Sequence, residues 1–361
     1  MHVTRDDKSL LRRARRWLAQ RLGGTRAALG AGISRLGFAE FQVLIAGWRL
    51  GLFDFLAAQP ERTFEEIRDH LRLPDHSARA LLLSTTSLGY THRNPRATFR
   101  NSRAVHRALI GPDRAQEIPR LEAFHFLMYQ PFYHLTAALQ QGTNVGLQCV
   151  PGAGNTLYDR LENNAENRRV FYGWMHSLKQ KSVASEVVSA LRGSRHMLDL
   201  GGGDGVNSID LVQRIPGLKA TIVDSADTCN LAAKNVAEAG LSDRIALHAG
   251  DFLKDPIPAG ADSILLAHIS NIYSDEINQA LIKKSADALS QGGKLVIFSL
   301  ISNDDQTGPW YAGFMSLYFQ VLATGIGNVY PPSVYERWFA NANFSSLAMH
   351  TKRQGILIGT K

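Results

Sequence analysis

The chain has 361 residues, 45% of them hydrophobic and 20% charged; that describes a folded globular protein long enough for two domains. No apolar run approaches the roughly 20 residues that cross a membrane, no apolar leader follows the N-terminal charges, and Cys149 and Cys229 alone build neither a disulfide framework nor a cysteine zinc site, so a reducing cytoplasm is expected. The net charge of +8 is concentrated in residues 1–35, which carry nine Lys and Arg against Asp6 and Asp7, whereas the rest has 31 basic and 30 acidic residues. A nucleic-acid enzyme needs a basic stripe across its body, and a nearly neutral body argues against one.

Residues 1–33 read as a basic N-terminal extension. Lys8 to Leu22 forms a helix with Leu10, Leu11, Trp17, Leu18 and Leu22 among arginines. Such a helix suits an anionic membrane or a partner; the plainer reading is a solvated extension that packs on its own dimer. No stable membrane insertion is expected. Gly23-Gly24 and Gly30 to Gly32 loosen the chain into a linker.

Residues 34–112 read as a winged helix. Ser34 to Ala58 is strongly apolar at helical spacing, and Thr63-Phe-Glu-Glu66 is a capping box that starts a helix over Phe64 to Leu71. Leu73-Pro-Asp75 breaks the chain, Ser77 to Leu88 forms the next helix, and Tyr90 to Arg103 supplies two short wing strands. A recognition helix needs polar and basic residues along its exposed face. Ser77 to Leu88 carries Arg79 among Ala80, Leu81, Leu82 and Leu83, so dimerisation rather than DNA binding is expected, despite four arginines in the wing.

Residues 113–192 read as connecting helices that line a pocket, rich in aromatic and histidine residues between Leu121 and Gln141. His125, His134 and His176 lack the i,i+4 pairing or nearby carboxylates of a metal site, and packed helix histidines are the plainer reading. No metal is expected.

Residues 193–361 hold the most specific signal. His196-Met-Leu-Asp-Leu is a buried parallel strand, followed by Gly201, Gly202, Gly203 and Gly205, then by a helix with Ile209, Leu211, Val212 and Ile215. A glycine loop between strand and helix turns backbone N–H groups toward a polar or anionic ligand. The dehydrogenase spacing G-x-G-x-x-G fails, because Val206 stands in the last place. Thr221 to Asp224 is a second strand ending in a carboxylate 23 residues after Gly201, where an acid accepts from both hydroxyls of a ribose; Ser225 follows it. Arg244 to Asp251-Phe252 is a third strand, ending in an acceptor and an aromatic ring, the pair an adenine needs. Asp262 to Ala267 and Lys294 to Phe298 are the fourth and fifth, the latter entered through Gly292-Gly293.

In this order these features resemble the class I S-adenosylmethionine-dependent methyltransferases. Leu-Asp-Leu-Gly-Gly-Gly-Asp-Gly, Gly-Asp-Phe and Ser-Asp-Glu276 followed by Gly-Gly-Lys look like the plant-type and bacterial small-molecule O-methyltransferases, over roughly residues 36 to 361. The resemblance implies an α/β fold, a Rossmann-like doubly wound mixed sheet behind a mostly helical winged-helix dimerisation domain. It also implies a homodimer, S-adenosyl-L-methionine as cofactor, and Gly201, Gly203, Asp224, Ser225, Asp251 and Phe252 as its site. Trp48 to Asp54 looks like a helix of the dimerisation domain, and Met175 matches a Met that holds an aromatic substrate ring. Tyr172, Tyr311, Met315 and Phe319 join Met175 as expected substrate contacts, for a large planar acceptor.

In that family a His two residues before a Trp deprotonates the acceptor, oriented by two Glu residues. Aligned through Ser274-Asp275-Glu276, Tyr273 stands in place of the Trp, Asn271 in place of the His, Ser299 in place of the first Glu, and the second falls near Val329. Without a titratable group at 271, the family's deprotonation is absent. Asn271, His268 and Tyr273 remain as candidate catalytic residues, His268 equally readable as a packing replacement. The leading expectation is methyl transfer to a small aromatic or polyketide-like metabolite at carbon, nitrogen or an acidic oxygen. The alternatives are a non-methylating reaction steered by the cofactor's positive sulfur, and a regulator with a vestigial cofactor domain.

Overall fold

The computed structural model describes residues 37–162, 164–178, 185–350 and 355–361; the helix read over Lys8 to Leu22 and the linker after it lie outside them. The chain divides into two compact units, Met1–Ile118 and Pro119–Lys361.

In the first unit, α1 (Gly37–Arg49) and α2 (Leu52–Ala58) meet at Gly51, whose φ of 78° makes the turn. No single helix among the described residues is long and apolar enough to cross a membrane; these two reach the required character only as a pair bent by 53°. Leu52, Phe53 and Leu56 of α2 are buried in the unit's own core. Helix α3 (Phe64–Leu71) opens on the expected capping box: the Thr63 hydroxyl accepts from the Glu66 N–H, and the Glu66 carboxylate accepts from the Thr63 N–H at 2.8 Å. Helix α4 (Asp75–Ser87) begins two residues earlier than read, with Pro74 at its N-cap. An antiparallel ribbon of β1 (Thr91–Arg93) and β2 (Phe99–Asn101) follows, then the short α5 (Arg103–Val105).

The helices that follow are α6 (Arg114–Ala123), α7 (Leu135–Gln141), α8 (Leu157–Glu162), α9 (Ala165–Leu178) and α10 (Ser185–Leu191). A π turn at Phe124–Met128 and a 3-10 turn at Pro131–His134 separate α6 from α7; Pro131 lacks the N–H that would continue a helix.

The sheet then forms from β3 (His196–Leu200), β4 (Lys219–Asp224), β5 (Ile245–Ala249), β6 (Ser263–Ala267) and β7 (Lys294–Ser299), joined by crossover helices α11 (Val206–Arg214), α12 (Ala226–Glu238) and α13 (Asp275–Ala288). After α14 (Trp310–Tyr318) and α15 (Pro332–Asn341) come β8 (Ser346–His350) and β9 (Gly355–Thr360). The seven strands lie in the order β5-β4-β3-β6-β7-β9-β8. The first five are parallel, and β9 runs antiparallel to both neighbours. This is the mixed, doubly wound sheet expected. Strands β3 and β6 are covered on both faces, which is why they read as unbroken apolar runs. The chain leaves β3 toward β4 on one side and returns to β6 on the other, so the carboxyl ends of β3 and β6 flank the crevice in which such sheets bind ligands.

Helix α15 anchors one face of the sheet through Trp338. Its ring packs edge-on against Tyr330 and Tyr335 at 4.9 and 4.8 Å, and its Nε1–H donates to Asp275 at 2.5 Å. Trp338→Ala is expected to cost about 3–5 kcal/mol of stability; denaturant unfolding checks it, and a loss below about 1 kcal/mol contradicts this packing.

Candidate functional site

Gly201, Gly203 and Gly205 have φ of 69°, 60° and 83°, a left-handed backbone that β-carbons disfavour. Space is short as well: a Cβ on Gly201 would lie 2.4 Å from Ile269 Cδ1 and 3.3 Å from Phe252 Cε1. At the end of β4, Asp224 accepts from the Gly203 N–H at 2.9 Å and the Ser225 N–H at 2.8 Å. One carboxylate thereby ties the loop after β3 to the end of β4, with lone pairs left for a ligand's hydroxyls. Burial raises its pKa against the opposing pull of those two N–H groups. In β3, just before the loop, Asp199 is buried and accepts from the Ser208 hydroxyl at 2.7 Å. Ser225 caps α12 with its side chain, so that hydroxyl is committed to the helix.

Asp251 and Phe252 follow β5. Asp251 pairs with Lys254 at 2.8 Å and accepts from the Leu253 N–H; the Lys254 ammonium is the main cause that holds its carboxyl below the usual range. The Phe252 ring meets Tyr273 edge-on at 6.4 Å. Lys284 of α13 holds this loop from outside, donating to the carbonyls of Phe252, Leu253 and Asp255. Nothing adjacent in sequence marks that lysine.

After β6 the three candidate residues separate. His268 has a left-handed backbone, φ 61°, a strained state for a non-glycine residue. Its ring lies 4.8 Å from Phe298, which belongs to the core under α10 and α11. Tyr273 packs against the opposite core. Burial first, then the charges of Asp251 and Asp224, raise its pKa, so its hydroxyl stays protonated. Asn271 is 1% exposed. Its Nδ2 donates to the carbonyls of Leu300 and Asn328, both at 3.1 Å, and its Oδ1 accepts from the Ser299 hydroxyl at 2.5 Å and the Leu300 N–H at 3.0 Å. Ser299 in turn contacts Ser270 at 3.0 Å, and Ser270 contacts the Tyr335 hydroxyl at 2.8 Å. Every member of this buried set is uncharged. The amide named as a candidate catalytic group thus spends both hydrogens and both acceptor sites on the protein.

The expected substrate contacts divide too. Met175, Tyr311 and Met315 pack half-buried on the same core as Tyr273, and Phe319 is buried. Phe314 stacks between Phe124 and Phe132 at 5.6 and 5.4 Å, its ring within 17° of parallel to each. Tyr172 instead sits at the glycine loop, where a Cβ on Gly203 would be 3.7 Å from its ring. The Asp224 and Asp204 charges add to burial in raising its pKa.

A family model described as the O-methyltransferase domain matches residues 132–345. The chain belongs to that family. It is 36% identical to the L-tyrosine C(3)-methyltransferase of Streptomyces lavendulae over 90% of each chain. It is 30% identical to the 3-hydroxy-5-methyl-1-naphthoate 3-O-methyltransferase of Streptomyces sahachiroi over 86% of this chain and 88% of that one. Among solved structures, the S-adenosylmethionine-dependent methyltransferase SibL matches with a TM-score of 0.73 at 32% identity, over 92% of this chain and 98% of that one. The chain is an S-adenosylmethionine-dependent methyltransferase of the secondary-metabolite type.

The crevice suits that cofactor. The left-handed, side-chain-free loop admits a ligand to its backbone, and Asp224 retains acceptor capacity beside it. Gly201 and Gly203 would pass the amino-acid portion, Asp224 would take the ribose hydroxyls, and Asp251 with Phe252 would take the adenine.

Asp224→Ala is expected to weaken S-adenosylhomocysteine binding by at least about tenfold, because a charged acceptor is worth more than a neutral one; calorimetry checks it, and unchanged affinity refutes the placement. Only the ionised carboxylate accepts twice. With its pKa raised, Asp224 protonates at a higher pH than an ordinary carboxyl, so affinity falls on acidification from that higher point. Asp224→Asn should remove that dependence.

Proposed function

We propose that this enzyme transfers a methyl group to a ring carbon of a small phenolic or polyketide-like aromatic metabolite. The observation that carries this reading is the uncharged, fully bonded set of Asn271, Ser299, Ser270 and Tyr335 where the O-methyltransferase resemblance has a base and its orienting acids. When bound, S-adenosylmethionine supplies an electrophilic methyl on a sulfonium. A neutral hydroxyl acceptor would need a protein base to become nucleophilic. A carbon ortho or para to an ionised ring hydroxyl is already electron-rich, so alignment behind the methyl is the main requirement. The carbon–methyl bond would form as the carbon–sulfur bond breaks to leave S-adenosylhomocysteine, and the displaced ring proton would then pass to solvent.

The residues divide that work. Asn271 acts as a positioning residue: it ties the segment after β6 to Leu300 and Asn328 and so fixes Tyr273 beside the cofactor acids. Gly327 crosses this segment so closely that a Cβ would lie 2.3 Å from the Asn271 carbonyl oxygen. The protonated Tyr273 hydroxyl serves as a donor to an acceptor oxygen, which suits an ionised phenol. The stack of Phe124, Phe314 and Phe132, with Met175 and Met315, supplies flat apolar surface for the ring. The similarity to a tyrosine C-methyltransferase supports the choice of carbon, and the naphthoate relative makes an acidic oxygen the competing acceptor. Residues 34–112 serve as a dimerisation domain, with residues 113–192 connecting it to the catalytic domain; light scattering of the purified chain tests the dimer.

The test is incubation with 13C-methyl cofactor and a panel of phenols and phenolic amino acids, read by two-dimensional NMR. An aryl C-methyl signal formed in step with S-adenosylhomocysteine is expected; methoxy signals alone, or turnover without cofactor consumption, overturn the reading. Asn271→Ala should lower kcat by about tenfold or more while moving cofactor affinity by less than about threefold, as expected for lost alignment. An unchanged rate would relieve Asn271 of any part.

A further inference from the structure

Helix α9 bears two residues one turn apart, Tyr172 and His176, that reach consecutive residues of the glycine loop. His176 Nε2 is bonded to the carboxylate of Asp204. Asp204 is 5% exposed, so its carboxylate needs that polar partner. Tyr172 lies over Gly203, near enough that a Cβ there would sit 3.9 Å from its hydroxyl. From the other side, Asn235 of α12 donates to the Asp204 carbonyl at 2.8 Å. Gly203 and Asp204 are therefore held between two helices while the Gly203 N–H points at Asp224.

We propose that α9 is a clamp on the cofactor loop, with Tyr172 and His176 as positioning residues that set the affinity for S-adenosyl ligands. The proposal rests on the assignment of the Gly201–Gly205 loop and Asp224 to the cofactor. Its physical content is preorganisation. A loop of glycines loses much backbone freedom when it is fixed, and a loop already fixed by α9 loses less when the ligand arrives. Burial first, then the charges of Asp224 and Asp204, disfavour ionisation of Tyr172, so its hydroxyl stays protonated over the loop. Neither residue need touch the reacting atoms. Loosening the clamp raises the cofactor's Kd and KM more than it lowers kcat.

Calorimetric titration of S-adenosylhomocysteine into the full chain tests this. His176→Ala should bind about tenfold more weakly, the scale of losing preorganisation and one charged hydrogen bond. His176→Gln, which keeps a side-chain N–H donor, should recover most of the loss. The double variant His176→Ala with Asp204→Asn should be no worse than the weaker single variant, because both remove one interaction. Tyr172→Phe separates the hydroxyl from the ring and should weaken binding further when added to His176→Ala. Hydrogen exchange on the ligand-free protein should show faster exchange at residues 201–205 in His176→Ala, a readout independent of turnover.

Wild-type affinity in His176→Ala, or fully additive losses with Asp204→Asn, would overturn the clamp. Should His176→Ala fail to fold, His176→Gln against Asp204→Asn still measures the coupling. Undiminished binding in Asp224→Ala would instead fault the cofactor assignment, so the two failures are distinguishable.

Discussion

The hydrogen bond from the Gly203 N–H to the Asp224 carboxylate fixes the geometry on which the site depends. It joins the turn after β3 to the end of β4, beside the β3–β6 crevice where strand order reverses, and it requires glycine on one side and an acid on the other. The carboxylate is buried, which costs free energy unless N–H groups compensate; Gly203 and Ser225 supply them. The same pair of bonds takes one acceptor site on each oxygen and leaves the others unspent by them. Structure and binding capacity thus come from one arrangement, and Phe252, Tyr172 and Ile269 pack around it.

The second constraint is neutrality at the end of β6. A buried imidazole flanked by carboxylates would be a poised base, whereas an amide flanked by hydroxyls is a tie with nothing to titrate. Asn271 still bridges the end of β7 and the segment before α15 through the Leu300 and Asn328 carbonyls. Position 271 thus carries a tie between segments and no titrating group. A site of that kind suits an acceptor that brings its own nucleophilicity, and the aromatic stack beside α14 suits a flat ring.

What was legible in the sequence is what is local in the chain. The glycine loop, the acid at the end of β4 and the Thr63 capping box each declare themselves within a few residues, because turn and cap chemistry is short-range. The order of motifs sufficed for the parallel strands. The partners of Asn271 were only half visible: Ser299 stood at a recognised position, but Tyr335 reaches Ser270 across 65 residues and no periodicity announces it. Lys284 reads as an ordinary helix-surface lysine until its three carbonyl partners are seen. His176 read as a packed helix histidine because Asp204, its partner, lies in another motif. Tyr172 shares its helix with Met175 and reads as a substrate contact, yet it sits at the glycine loop.

The most direct test of the central claim is the pH dependence of kcat/KM across a series of ring-substituted phenolic acceptors. With no protein base at position 271, the pH at which activity rises should follow the ionisation of each acceptor's own hydroxyl. A limb fixed at one pH for every acceptor would reveal a titrating group of the enzyme and contradict the account.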